Sequence, residues 1–130
     1  MQYGNILISK ATQNAVFIDF EYALNAPAQF DIANYWCEWA ADYSNGHEAL
    51  FDWDCMPSQS QQEEFIARYF QERGGNIATN DIHKFMEECH SFEPVSHLHW
   101  ALWGLLKEEK DGDFDYFAYA MNRLCRIKIE

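Results

Sequence analysis

Strand-forming sequence is confined to the first 19 residues, and this limits the chain to a very small sheet. NILIS (5–9) and AVFID (15–19) are short apolar runs rich in β-branched residues, separated by the polar stretch KATQN (10–14). That pattern predicts an antiparallel hairpin. If the strands pair about the middle of the loop, near Thr12, Asn5 lies opposite Asp19. An amide oxygen and a carboxylate then meet at one end of the hairpin. The second run continues as VFIDFEY (16–22), so an apolar strand closes on two acids, Asp19 and Glu21, interleaved with Phe20 and Tyr22.

The rest of the chain carries helical periodicity. ALNAPAQ (23–29) reads as a loop, and FDIANYWCEWAADY (30–43) as a helix with Asp31 at its N-cap or in its first turn. On that helix Asp31, Asn34, Glu38 and Asp42 form one polar stripe, and Trp36, Trp39 and Tyr43 line a neighbouring face. Residues 44–57 read as a second loop. SQSQQEEFIARYFQERGG (58–75) is a helix with a Ser58 cap, acids in its first turn, Arg73 in its last turn and a Gly pair as its stop. NDIHKFMEECHSF (80–92) is a third helix, broken or bent at Pro94, and VSHLHWALWGLLKEE (95–109) a fourth. KDGD (110–113) turns the chain into a last helix, FDYFAYAMNRLCRIKI (114–129). The expected fold is α+β and mainly helical, one β-hairpin followed by four or five helices, in a single domain over residues 1–130.

Composition narrows the function. Five Trp, seven Tyr and ten Phe in 130 residues supply a packed core and exclude a disordered segment. A net charge of −12 argues against a nucleic-acid partner, which needs clustered Lys and Arg, and favours a cationic one. No apolar run approaches the ~20 residues of a transmembrane segment. MQYGNILISK lacks the regions of a signal peptide, so the expectation is a cytoplasmic protein. Cys37, Cys55, Cys89 and Cys125 form no CxxC pair and are expected to be reduced. His97 and His99 point apart on a helix, which argues against a zinc site.

Two constellations carry chemistry. Magnesium takes oxygen ligands and keeps several waters, so one or two protein oxygens plus substrate phosphates suffice. Asn5 and Asp19 supply that minimum, although taken alone the pair reads more readily as a turn Asn beside an edge acid. The second constellation is aromatic. Trp100 and Trp103 are three apart on one helix, and Tyr116 and Tyr119 three apart on the next, so each pair faces one way. Such pairs serve as core packing or as a cage for a quaternary ammonium, which has no N–H to donate and is held by aromatic faces, with an acid such as Glu38 as counter-charge.

QYGNIL, VFIDFEY, FDIANYWCEW with DY, SHLHWALWG and FDYFAYA, in that order, closely resemble the choline/ethanolamine kinase family from residue 2 to about residue 123. The resemblance implies a protein-kinase-like C-terminal lobe. It implies Asn5 and Asp19 as Mg2+ ligands and Gln2 near the transferred phosphate or the substrate hydroxyl. It also implies a substrate pocket of Tyr22, Glu38, Tyr43, Trp100, Trp103, Phe114, Tyr116 and Tyr119. Asp31 would be a helix cap or loop clamp, and Asn34 a support for the loop. The implied activity is ATP-dependent phosphorylation of choline or ethanolamine, with MgATP as co-substrate, for phosphatidylcholine and phosphatidylethanolamine synthesis. Some members of the family are homodimers. The family's catalytic Asp would precede Met1, and the N-terminal lobe that binds ATP has no counterpart here. The chain is therefore expected to be a partial catalytic domain, inactive alone. The alternative expectation is an inactive lobe that binds a cationic ligand or a protein partner.

Overall fold

A computed structural model describes residues 2–44, 50–75, 77–107 and 114–127. Strands β1 (Ile6–Ile8) and β2 (Ala15–Phe17) form the expected antiparallel hairpin, preceded by a 3-10 turn at Tyr3–Asn5. The register is one residue off the expected one, with Ile6 opposite Phe17 and Ile8 opposite Ala15. The cause is the turn. Gln13 adopts φ 59°, its N–H donates to Ser9 O at 2.8 Å, and Asn14 rejoins the ladder by accepting from Ser9 N–H at 2.9 Å. The loop is thus four residues long, and Asn5 faces Ile18, whose N–H donates to Asn5 O at 3.0 Å.

Helix α1 (Ala28–Glu38) is shorter than expected at its C-terminal end. Residues 40–42 leave the helix because their backbone groups pair elsewhere. β3 (Ala41–Asp42) bridges β4 (Leu50–Phe51), and Asp52 N–H donates to Ala40 O at 2.8 Å. Residues 44–57 were expected to be a loop, yet they contribute β4 and a 3-10 turn at Trp53–Cys55. The α1 N-cap is Pro27, without a side-chain cap, and Asp31 sits inside the first turn. There its charge suits the positive end of the helix dipole. The expected polar stripe divides accordingly: Asn34 and Glu38 are buried, and Asp42 lies on β3.

Helix α2 (Gln59–Glu72) has the predicted Ser58 cap, completed as a capping box by Gln61. Its first turn holds no acid, and Arg73 is the C-cap, followed by Gly74 at φ 80°, where only a residue without Cβ is unstrained. Residues 79–107 form one helix, α3, of 29 residues running through Pro94, in place of the two expected helices. An interior proline removes one hydrogen bond and costs ~3 kcal/mol. Burial on both sides of it offsets the cost: Met86 and Cys89 before it, Ser96, His97 and Ala101 after it. Ser96 Oγ also donates to Asn34 Oδ1 at 2.8 Å, tying the second half to α1. Helix α4 (Tyr116–Leu124) begins one residue after Asp115, whose carboxylate accepts from Ala118 N–H at 2.7 Å. The expected KDGD turn lies outside the described residues.

Four α-helices thus follow the hairpin among the described residues, a mainly helical α+β arrangement as expected. The core has Ile32, Trp36, Ile66, Met86 and Cys89 at its centre, and α3 packs along both α1 and α4. No described helix is long and apolar enough to cross a membrane. All four cysteines are free thiols; Cys37 and Cys89 are buried, Cys55 and Cys125 exposed.

Candidate functional site

The floor of the site is set by one crossing, that of α3 over α4. Gly104 lies at the contact: a Cβ there would stand 3.0 Å from Tyr119 Cδ1 and 3.1 Å from Tyr116 O. A side chain there would have to push these atoms back by a few tenths of an ångström; its absence brings the aromatic face of α4 onto that of α3. Trp103 then meets Tyr116 (ring centroids 5.6 Å apart) and Tyr119 (5.9 Å), both edge to face. Trp100 lies edge-on to Trp103 at 5.6 Å, and Phe114 packs on Tyr116 at 4.8 Å. Tyr22, brought in by the chain leaving β2, stands edge-on to Trp100 (5.9 Å) and Trp103 (6.0 Å). Such arrangements match the ring quadrupoles. The indole Nε1 of both Trp100 and Trp103 is buried without a partner.

On the α1 side of the same space stand Glu38 and Tyr43. Tyr43 OH donates to Glu38 Oε2 at 2.9 Å, and Glu38 Oε1 is ion-paired with Arg123 Nη2. Arg123 went unrecognised in the sequence. The signal was its place four residues after Tyr119, on the aromatic face of α4, where a long cation is out of keeping with an apolar stripe. Its presence changes the expectation for Glu38. That carboxylate lines the space but is 5% exposed, and its charge is already matched. Burial, then Glu38, raise the Tyr43 phenol above the tyrosine range, and burial pushes Tyr119 up to about 12. Both remain neutral hydroxyls at physiological pH.

At the other end is the hairpin terminus. Asp19 takes φ 62°, a left-handed conformation in which an Asp is tolerated and which recurs at functional sites. Although the register sets Asn5 opposite Ile18, Asn5 Nδ2 reaches Asp19 Oδ2 at 3.5 Å, a long, weak contact. The donor set fits a magnesium ion that keeps other ligands of its own: one carboxylate and one amide oxygen, once the amide turns its oxygen toward the carboxylate. Among the described residues no group of three His, Cys, Asp or Glu could hold a metal. A closed protein cage is thus not what Asn5 and Asp19 resemble.

These two ends border one cleft of about 710 Å³, and all eleven residues singled out in the sequence line it: Gln2, Asn5, Asp19, Tyr22, Glu38, Tyr43, Trp100, Trp103, Phe114, Tyr116 and Tyr119. Asp31, Asn34 and His99 line it too. His97 does not. It is buried, with Cys37 Sγ 3.8 Å from its Nε2, and burial with Arg123 and Arg126 lowers its pKa to about 4. Burial meanwhile pushes the Cys37 thiol up to about 12. A neutral imidazole beside a protonated thiol is packing, not a nucleophile and its base.

The chain is similar to known proteins of one family. The family model of choline/ethanolamine kinase matches residues 1–127. The chain is 35% identical over 124 residues to probable choline kinase 3 of Arabidopsis thaliana, covering 95% of this chain and 36% of that protein. It is 33% identical over 140 residues to the choline/ethanolamine kinase of Homo sapiens, covering 95% and 34%. The crystal structure of choline kinase from Cryptosporidium parvum superposes with a TM-score of 0.83 at 28% identity, over 95% of this chain and 34% of that one. The Plasmodium vivax ethanolamine kinase structure does so at 0.79 and 31% identity, over 96% and 31%. The chain spans about a third of the length of the curated relatives it matches. With the sequence match over nearly its whole length and the same protein-kinase-like fold, the chain belongs to the choline/ethanolamine kinase family.

Proposed function

We propose that this chain forms the substrate- and metal-binding part of an enzyme that transfers the γ-phosphate of MgATP to choline or ethanolamine, a cytoplasmic step in phospholipid head-group synthesis. The observation that carries the reading is the single cleft with an Asn–Asp pair at one end and an aromatic wall at the other. Phosphoryl transfer is catalysed almost wholly by positioning and charge stabilisation. Each end has its part in that. Asn5 and Asp19 would hold Mg2+, which supplies charge neutralisation on the phosphates. Gln2, beside them, would orient the transferred phosphate or the accepting hydroxyl. Trp100, Trp103, Tyr116, Tyr119, Phe114 and Tyr22 would take the ammonium group on their rings, with Tyr43 and Glu38 closing the wall.

Residues 1–130 are, on this reading, part of a larger catalytic domain, and the chain alone transfers nothing. A second reading, a lobe that binds a cation without catalysis, is favoured by four rings of the wall, Trp100, Trp103, Tyr116 and Tyr119, packing on one another within α3 and α4. The test joins this chain to the amino-terminal part of a choline kinase relative and assays ATP-dependent phosphorylation of choline and ethanolamine. Transfer by the fusion, lost in Asp19→Ala, supports the enzyme. A folded fusion that binds choline but transfers no phosphate supports the second reading instead.

A further inference from the structure

Arg123 is fully buried, an unusual place for a guanidinium. Its group lies over the rings of Phe51 (5.2 Å) and Tyr119 (5.5 Å), and Nη2 pairs with Glu38 Oε1. Nε and Nη1 are buried without a partner, so the site does not fully satisfy the cation. Burying an ion pair recovers little or nothing over an apolar pair of the same volume. As a fold stabiliser, Arg123 is therefore a poor choice. What it does accomplish is geometric. One Glu38 oxygen is taken by Arg123, the other by Tyr43 OH, and the Tyr119 ring beneath the guanidinium belongs to the aromatic wall.

We infer that Arg123 is a positioning residue for the cation pocket: it fixes Glu38, and through it the Tyr43 hydroxyl, and neutralises that carboxylate so that aromatic faces hold the ligand. This rests on the amino-alcohol reading of the cleft. The arrangement explains how an acid enters an aromatic pocket without collapsing onto its cation. An unpaired Glu38 at this depth would be a buried charge without a partner, which is costly.

Choline binding and thermal unfolding of wild type, Arg123→Lys, Arg123→Met and the double variant Arg123→Met/Glu38→Gln test the inference. Arg123→Met leaves Glu38 buried and unpaired, so both melting temperature and affinity fall. The double variant removes both charges. Its melting temperature recovers most of the loss, while choline binding stays about tenfold or more weaker than wild type, because Tyr43 has lost its anchored acceptor. Arg123→Lys keeps the charge without the planar fork and binds better than Arg123→Met. A double variant that binds choline as wild type does overturns the role given to Arg123, since affinity then merely follows stability. A folded wild-type chain that binds no choline at millimolar concentration removes the pocket reading itself, and this inference with it.

Discussion

The two ends of the cleft are built in opposite ways. The aromatic wall is built on helix packing: α3 and α4 meet at Gly104, and Tyr119 and Arg123 behind the wall are buried. The Asn5–Asp19 end is held by a three-residue strand pair whose apolar side chains, among them Leu7, Ile8, Val16 and Phe17, are about half exposed. The wall is thus shaped before any ligand arrives. The hairpin end depends on a local turn, one left-handed Asp and a 3.5 Å contact. A quaternary ammonium needs a preformed cage, because it has no N–H by which a hydrogen bond could gather it. A hydrated metal arriving with phosphates brings most of its own ligands and needs only two oxygens in reach.

If that contrast is right, equal chemical changes at the two ends have unequal effects. The largest is expected at Glu38. Replacement by Leu leaves Arg123 charged and unpaired at full burial, and costs on the order of 3–5 kcal/mol of stability, read by denaturant unfolding. Gly104→Ala comes next. Its methyl meets Tyr119 and the Tyr116 carbonyl at 3.0–3.1 Å, and α4 must shift at a cost of about 1–3 kcal/mol. That outweighs the ~1 kcal/mol gained in helix propensity, and choline binding falls with it.

Trp103→Leu keeps an apolar filler and removes a ring face. It costs about 1–2 kcal/mol of choline binding by calorimetry, with a smaller change in stability if the ring serves the ligand. Because Glu38 is paired with Arg123, the salt dependence of this binding is shallow. A steep dependence would mean an unpaired acid faces the ligand. The smallest stability effect is at the hairpin. Asp19→Asn changes unfolding free energy by no more than ~0.5 kcal/mol, as expected of an exposed position. It nonetheless abolishes paramagnetic broadening of hairpin signals by added Mn2+, used as a magnesium probe.

Legibility in the sequence followed the same divide. Helical spacing pairs Trp100 with Trp103 and Tyr116 with Tyr119, because periodicity within one helix is a local property; that these rings, with Tyr22, Tyr43 and Phe114, form a ligand pocket was implied only by the family resemblance. The hairpin was evident from its two β-branched runs, but its register was not. Register hangs on one backbone choice, Gln13 at positive φ, and no Gly, Asn or Asp at that position announced it. Pro94 misled for a related reason. Its local penalty is plain in the sequence, whereas the burial that overrides it comes from α1, 60 residues away at the Cys37–His97 contact. The Glu38–Arg123 pair spans 85 residues, and neither partner signals the other. Sequence reasoning therefore found the residues of the cleft and misjudged how one of them is held.

The central claim is that the α3–α4 wall is a cation site and not merely core. The chain offers its own controls, since Trp36, Trp39 and Trp53 lie outside that wall. Choline should be titrated into the 15N-labelled chain while the five indole N–H signals are followed by NMR. The account predicts saturable shifts of the Trp100 and Trp103 indoles, with those of Trp36, Trp39 and Trp53 nearly still. Signals that do not move, or that all move together, would contradict it.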